Sequence, residues 1–321
     1  MRAVIFDRFG DESVLRIGEA EAPPMDRHSI RIAVNATAVN RADLLQREGH
    51  YPPPPGASAI LGLECAGRVI EVGSNVSGWR VADRAMALLP GGGYAEEAVV
   101  HAGSAIPVPD AASDDEAAAI PEAFLTAFLN VFELGKARAG ETLLIHGGGS
   151  GVGTAATTLA RLAELRVVVT AGSDDKCARC LEHGADLAIN YRKEDFAERA
   201  GEVDIALDHI GAKYLPRDLR TLRTGGRVVV IGSMGGQRAA EVDVLSLLAK
   251  RLQIIGSTLR SRTAAEKAAI VSAFRKRFGS DLEAGRIRPV IHRVMPLEEV
   301  AEAHRLMKSS EHFGKIVLRV R

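Results

Sequence analysis

A chain of 321 residues, 46% hydrophobic and 26% charged, can bury a large core without disulfides or metals and is long enough for two domains. Its 41 basic residues balance 41 acidic ones, which argues against a broad electrostatic surface for nucleic acid or anionic membrane. Cys65, Cys177 and Cys180 are too few for a disulfide framework, and charges or glycines interrupt every apolar run. The expectation is a cytoplasmic protein with no nucleic-acid or membrane partner.

Residues 1 to about 122 are short strand-like runs broken by Gly, Pro and Asp, among them Ile30–Ala38, Gly67–Val72, Ala82–Leu88 and Ala95–Val100. Irregular spacing without long helical periods predicts a partly open β-barrel. The prolines of Tyr51–Gly56 predict a stiff surface loop. From Glu122 the pattern changes: a helix over Glu122–Leu134 leads into alternating strands and helices. The strands are Thr142–His146, Arg166–Thr170, Leu187–Asn190, Asp204–Leu207, Arg227–Ile231 and Gln253–Ser257. Between them lie helices Gly151–Ala163, Asp174–His183, Ala212–Leu222 and Val242–Lys250. Such alternation predicts an α/β fold with a doubly wound parallel sheet. Beyond Thr263 come a long helix to about Phe278, a strand near Pro289–Val294, a helix over Leu297–Lys308 and a strand Lys315–Arg319. Those two strands are expected to return to the first domain. The division is therefore 1–122 completed by about 264–321, with 123–263 between.

The strongest local signal is the apolar strand Leu143–His146 running into Gly147-Gly148-Gly149-Ser150-Gly151-Val152-Gly153, with a helix at once after it. Glycines allow the tight turn and the approach of backbone N–H groups to a pyrophosphate, and the helix N-terminus then faces the charge. The spacing is not G-x-G-x-x-G, and a bare structural corner would use the same residues. The strand before and the helix after favour dinucleotide binding. An NAD site would carry Asp or Glu at the end of the next strand; Ala171-Gly172-Ser173 stands there, with Lys176 and Tyr191 to follow. A hydroxyl, an ammonium and a phenol suit a 2′-phosphate and point to NADPH. Asp174 and Asp175 oppose that reading and are taken as helix N-terminal acids.

A zinc site needs at least three Cys, His or carboxylate ligands. Leu63 occupies the place where a ligating His would precede Glu64, no cysteine lies before Cys65, and the Cys177/Cys180 pair sits inside a predicted helix without a second pair. No metal is expected.

Asn40 through Gly56, then Ile60-Leu61-Gly62-Leu63-Glu64, closely resemble the quinone oxidoreductases of the medium-chain dehydrogenase/reductase superfamily. The chain is most similar to the branch containing the p53-inducible quinone oxidoreductase. Ile145–Gly153, Thr170–Ser173, Asn190–Phe196, Ser233–Gly236, Leu259–Arg262 and Gly314–Leu318 extend the resemblance over essentially the whole length. It implies a GroES-like barrel around a Rossmann domain, NADPH between them, no zinc, and a homodimer joined through the Rossmann sheets. It also implies roles for particular residues. Gly148, Gly149, Ser150, Gly151, Val152 and Gly153 would hold the pyrophosphate, and Gly172, Ser173, Lys176 and Tyr191 the 2′-phosphate. Thr126, Gly232, Met234, Gly235, Thr258, Leu259, Ser261 and Lys315 would complete the cofactor contacts, with Asn40 and Tyr51 facing the substrate. The expected activity is hydride transfer from NADPH to a quinone, with Tyr51 and Asn40 near the reduced oxygen. One rival reduces the C=C bond of an enone or enoyl substrate on the same scaffold. Another, a non-catalytic NADPH- or nucleic-acid-binding module, is opposed by the zero net charge and the 4% aromatic content.

Overall fold

The computed structural model describes residues 1–321, which divide into two compact units: Met1–Leu125 with Leu259–Arg321, and Thr126–Thr258. The first contains β1 (Arg2–Ile5), β2 (Arg16–Glu19), β3 (Ser29–Ala38), helix α1 (Arg41–Arg47), β4 (Glu64–Val72), β5 (Arg84–Leu88), β6 (Glu97–His101), β7 (Ala105–Pro107), α2 (Asp114–Ala118) and the start of α3 (Pro121–Phe128). The second continues α3 through a π-helical turn, Leu129–Leu134, into β8 (Thr142–Ile145), α4 (Gly151–Leu162), β9 (Arg166–Ala171), α5 (Asp174–Glu182), β10 (Leu187–Asn190) and α6 (Phe196–Arg199). It ends with β11 (Val203–Asp208), α7 (Leu215–Thr221), β12 (Leu222–Val230), α8 (Val244–Ala249) and β13 (Gln253–Gly256). The chain then returns to the first unit as α9 (Ala264–Glu283), β14 (Ile291–Pro296), α10 (Val300–Ser309) and β15 (Lys315–Arg319).

The first unit is built on a seven-stranded sheet in the order β14-β15-β3-β4-β5-β7, with β6 also pairing β3. The predicted return of the last two strands is seen in the pairing of β15 with β3, Val317 opposite Ala38 and Arg319 opposite Ala36. Ile30, Ile32, Val34, Leu61, Val69, Leu89, Tyr94, Ile316 and Leu318 pack its core. Two short helices went unread in the sequence. The carboxylate of Asp43 accepts the Asn40 N–H at 2.8 Å at the start of α1, and Ser113 and Glu116 form a reciprocal capping box on α2.

The second unit is the expected doubly wound sheet, six parallel strands in the order β10-β9-β8-β11-β12-β13. Its strand order reverses between β8 and β11, the position at which such sheets open a crevice beyond their carboxyl ends. β8 and β11 are buried along their whole length, as a sheet covered on both faces requires. The predicted helix over 212–222 is shorter, Leu215–Thr221, because Pro216 fixes its first turn. Leu222–Thr224 instead open β12, whose register against β11 shifts between the Val203 and Ile205 pairings.

Candidate active site

Because all six strands of the second unit run the same way, the turns following β8, β9, β10, β11, β12 and β13 share one edge. Gly148–Gly153, Gly172, Ser173, Lys176, Tyr191, Gly232, Met234 and Gly235 all fall there. Gly147 takes φ +64°, and a Cβ on Gly153 would lie 2.3 Å from the Gly147 carbonyl oxygen. The turn therefore packs directly on the first turn of α4. The Ser150 hydroxyl caps the helix by accepting the Gly153 N–H at 3.0 Å, while the amides of Gly151 and Val152 precede the first intrahelical bonds. A Cβ on Gly172 would meet the Tyr191 hydroxyl at 2.7 Å. This is a glycine-lined cradle at a helix N-terminus, and it fits a dinucleotide pyrophosphate. At the same edge the buried Ser257 hydroxyl has no hydrogen-bond partner.

Beneath the loop, His146 bonds Asp218 at 2.7 Å and Thr170 at 3.0 Å, and is wedged edge-on between Phe196 and Tyr214. Asp208 accepts the amides of Ile210 at 2.6 Å and Gly211 at 2.9 Å, fixing the turn after β11. Burial, reinforced by Asp218, pushes its carboxyl up to about 6 against the pull of His146. Both imidazole nitrogens are engaged, so the trio braces the loop from below.

After β9, the Ser173 hydroxyl caps α5 by accepting the Lys176 N–H at 3.2 Å. Asp174, the acid that opposed a 2′-phosphate in the sequence, is bound by Lys193 at 2.5 Å and by Asn190 at 2.7 Å. Burial lowers the Lys176 ammonium, and Arg179 and Arg192 lower it further against the pull of Cys180 and Asp175, so both arginines sit within electrostatic reach of Lys176.

The other predicted residues lie elsewhere. Thr126 is buried in α3, where its carbonyl accepts the Asn130 side-chain N–H at 2.7 Å. Thr258 ends the second unit, and Leu259, Ser261, Lys315, Asn40 and Tyr51 belong to the first. Lys315 was expected among the cofactor contacts, but its ammonium is buried and donates to Val39 O at 3.2 Å, Asn40 Oδ1 at 2.7 Å and Glu64 Oε1 at 2.7 Å. With all three donors engaged, it holds the barrel's own groups rather than a phosphate. Asn40 was expected to face substrate, yet both its amide hydrogens are engaged, on Ala38 O at 3.2 Å and Glu64 Oε1 at 2.9 Å. Its place is that of a brace.

Tyr51 is half-buried, and the Arg260 guanidinium lies 5.2 Å from its ring centroid. Arg260 is itself buried, donating to Gln46 Oε1 at 2.5 Å, Pro90 O at 2.8 Å and Tyr51 O at 3.3 Å. Burial, then the charge of Glu122, raises the Tyr51 phenol; Arg260 opposes them. Arg260 and Glu122 were not singled out in the sequence. Arg260 stood inside the quoted Leu259–Arg262 motif, and Glu122 looked like an ordinary helix-opening acid.

A profile of the alcohol dehydrogenase GroES-like domain matches residues 26–110, and one described as zinc-binding dehydrogenase matches residues 183–318. The quinone oxidoreductase of Rattus norvegicus is 33% identical over 327 residues, covering 99% of this chain and 97% of its own length. The chain belongs to the quinone oxidoreductases of the medium-chain dehydrogenase/reductase superfamily. Among solved structures, the Escherichia coli quinone oxidoreductase complexed with NADPH is 27% identical with a TM-score of 0.86, each chain covered in full. An NAD-dependent alcohol dehydrogenase is 31% identical, with the same TM-score and full coverage of both chains. This oxidoreductase thus combines the GroES-like and Rossmann units of its superfamily, and no helix in it is long and apolar enough to cross a membrane.

Proposed function

We propose that the chain is an NADPH-dependent reductase that passes hydride, without a metal, to a quinone or a similar conjugated carbonyl compound. The observation that carries the cofactor choice is the fate of Asp174. Its charge is paired with Lys193, while Arg179 and Arg192 act on Lys176, whose backbone N–H is held by the Ser173 hydroxyl. An acid free to accept ribose hydroxyl hydrogens would favour NAD; a paired acid beside cations favours a 2′-phosphate.

When bound, the reduced nicotinamide supplies the hydride. Gly148–Gly153 and the first turn of α4 hold the pyrophosphate. The residues present support metal-free chemistry: Leu63 is fully buried and apolar, and Glu64 is taken up by Lys315, Asn40 and the Glu122 amide. Tyr51 keeps its phenol protonated and hydrogen-bonds the oxygen that gains charge. Proximity and exclusion of water supply most of the acceleration, since a quinone spreads that charge over its ring.

The deciding experiment is cofactor oxidation by metal-stripped protein with ortho- and para-quinones, simple enones and a crotonyl thioester, using NADPH and then NADH. Rapid quinone-dependent oxidation that prefers NADPH is expected. Turnover of enones alone would move the acceptor to an alkene, and an NADH preference would overturn the reading of the α5 cations. Tyr51→Phe is expected to lower kcat by roughly tenfold or more while leaving NADPH affinity within about twofold. Wild-type turnover in that variant would remove Tyr51 from the mechanism.

A further inference from the structure

The mechanism above does not use the carboxyl of Glu122, which lies among the polar side chains around Glu64. It opens α3, and its backbone N–H donates to Glu64 Oε2 at 2.8 Å. The other oxygen of Glu64 receives Asn40 at 2.9 Å and Lys315 at 2.7 Å. Glu122 is therefore fastened, through one shared carboxylate, to the two residues that brace the candidate acceptor side. Its own carboxyl is different: the residue is not fully buried, and the carboxyl makes no hydrogen bond or ion pair within the protein. Every other acid here, Glu64 and Asp43, is fully buried and saturated, Asp43 by the Asn40 and Gly62 amides and the Tyr94 hydroxyl.

We propose that the Glu122 carboxyl is the general acid of this site, donating a proton to the acceptor oxygen as that acceptor is reduced. This rests on the reductase reading given above. The groups that face Glu122 are Glu64 on β4, Asp43 on α1, Lys315 on β15, Arg260 after β13, Lys267 on α9 and Tyr51 in the proline loop. Burial, then the charges of Glu64 and Asp43, outweigh Lys315 and Arg260 and push its carboxyl up to about 8. It is thus protonated at neutral pH and close to the pH at which a donor is most useful. Tyr51, whose own phenol is raised rather than lowered, is the weaker acid and serves to position the oxygen. In the step, the carboxyl O–H bond breaks and an O–H bond to the acceptor forms. A bound reduced nicotinamide would supply the hydride and its electron pair, and the carboxylate regains its proton from solvent.

The test pairs Glu122→Gln with Glu122→Asp and uses two readouts. In the infrared spectrum of the cofactor-free protein, a protonated-carboxyl C=O band is expected to be lost as pH rises through about 8 and to be absent in E122Q. In steady-state assays E122Q is expected to lower kcat by roughly 100-fold with KM for NADPH unchanged. The wild-type fall in kcat as pH rises through that same region should vanish in E122Q and be restored in part by E122D. A band that titrates in the ordinary carboxylate range, or an E122Q pH profile that superimposes on wild type, overturns the assignment. Failure of the wild-type chain to reduce any acceptor overturns the reductase reading instead, a result distinct from either.

Discussion

His304 on α10 is fully buried, and the Arg47 guanidinium donates to its Nδ1 at 3.1 Å. The ring hydrogen therefore sits on Nε2, directed at the Tyr94 hydroxyl 3.2 Å away, and Tyr94 donates to Asp43 at 3.1 Å. Burial, then the Arg47 charge, lowers the imidazole from 6.5 to about 3. The unfolded chain takes up this proton near the ordinary histidine value and the folded one only near the lowered value. The stabilisation is consequently complete above about pH 6.5 and is lost progressively as pH falls toward about 3. Wild type is expected to be the more stable at neutral pH, and its advantage over His304→Gln in urea midpoint should shrink as pH is lowered from about 7 to about 4. A difference independent of pH would show that His304 acts by packing alone. Glu122 and Asp43 work in the opposite sense. Their carboxyls are raised to about 8 and about 6, so their contribution is largest below the ordinary carboxylate range and is lost as pH rises through those values. This network was not legible in the sequence, because Arg47, Tyr94 and His304 stand far apart along the chain and nothing in the Asn40–Gly56 stretch pointed to the other two.

The turn between β8 and α4 shows what a short stretch can disclose. An apolar strand, a glycine run and a helix with a serine cap are all local, and the structure places them as the pattern required. The Gly153→Ala variant puts a methyl 2.3 Å from the Gly147 carbonyl oxygen and 2.9 Å from the Gly148 carbonyl carbon, both backbone atoms. The turn must shift to accept it. Stability should fall by about 1–3 kcal/mol and NADPH affinity by more than tenfold, read by denaturation and by nucleotide fluorescence; unchanged affinity would move the pyrophosphate away from this loop. Elements that depend on tertiary context were harder to read. α1 and α2 are only 7 and 5 residues long and lie among Pro, Gly and strand-like runs, so no helical period develops. The π-helical turn at Leu129–Leu134 shares its apolar composition with α3, and composition does not reveal where hydrogen bonding changes from one spacing to another. Neither did the sequence expose the pairing of Asp174 with Lys193, whose partners sit on successive βα connections.

At the scale of the molecule, the parallel sheet leaves β13 as an edge strand. Beside it the surface is unusually apolar: Ile254 is 44% exposed, Val244 60%, Leu248 69% and Leu245 75%. An edge strand with such neighbours is a template for association. The resemblance implies a homodimer joined through these sheets, and this edge is where a second copy would pair about a two-fold axis. The double variant Leu245→Asp, Leu248→Asp is expected to convert a dimer to a monomer in sedimentation velocity. A wild-type chain that sediments as a monomer at micromolar concentration would overturn the inference. The two-unit architecture was largely readable, since each unit repeats its own pattern. The polar cluster around Glu64 was not, because it is assembled by β4, β15, α1 and α3 from residues chosen singly.

The pairing of β15 with β3 carries one further implication. β3 is made early, yet one of its three ladders must wait until the whole of residues 126–258 has been synthesised and β15 has followed. The intervening unit has no such wait, since all six of its strands lie within one continuous stretch. Closing a loop of that length costs more entropy than any closure inside the nucleotide unit, and long-range pairings of this kind form slowly. On the ribosome, therefore, residues 126–258 can be folded while the first unit still lacks β15. During that interval the Ala36–Ala38 end of β3, which β6 does not cover, is left unpaired on that side.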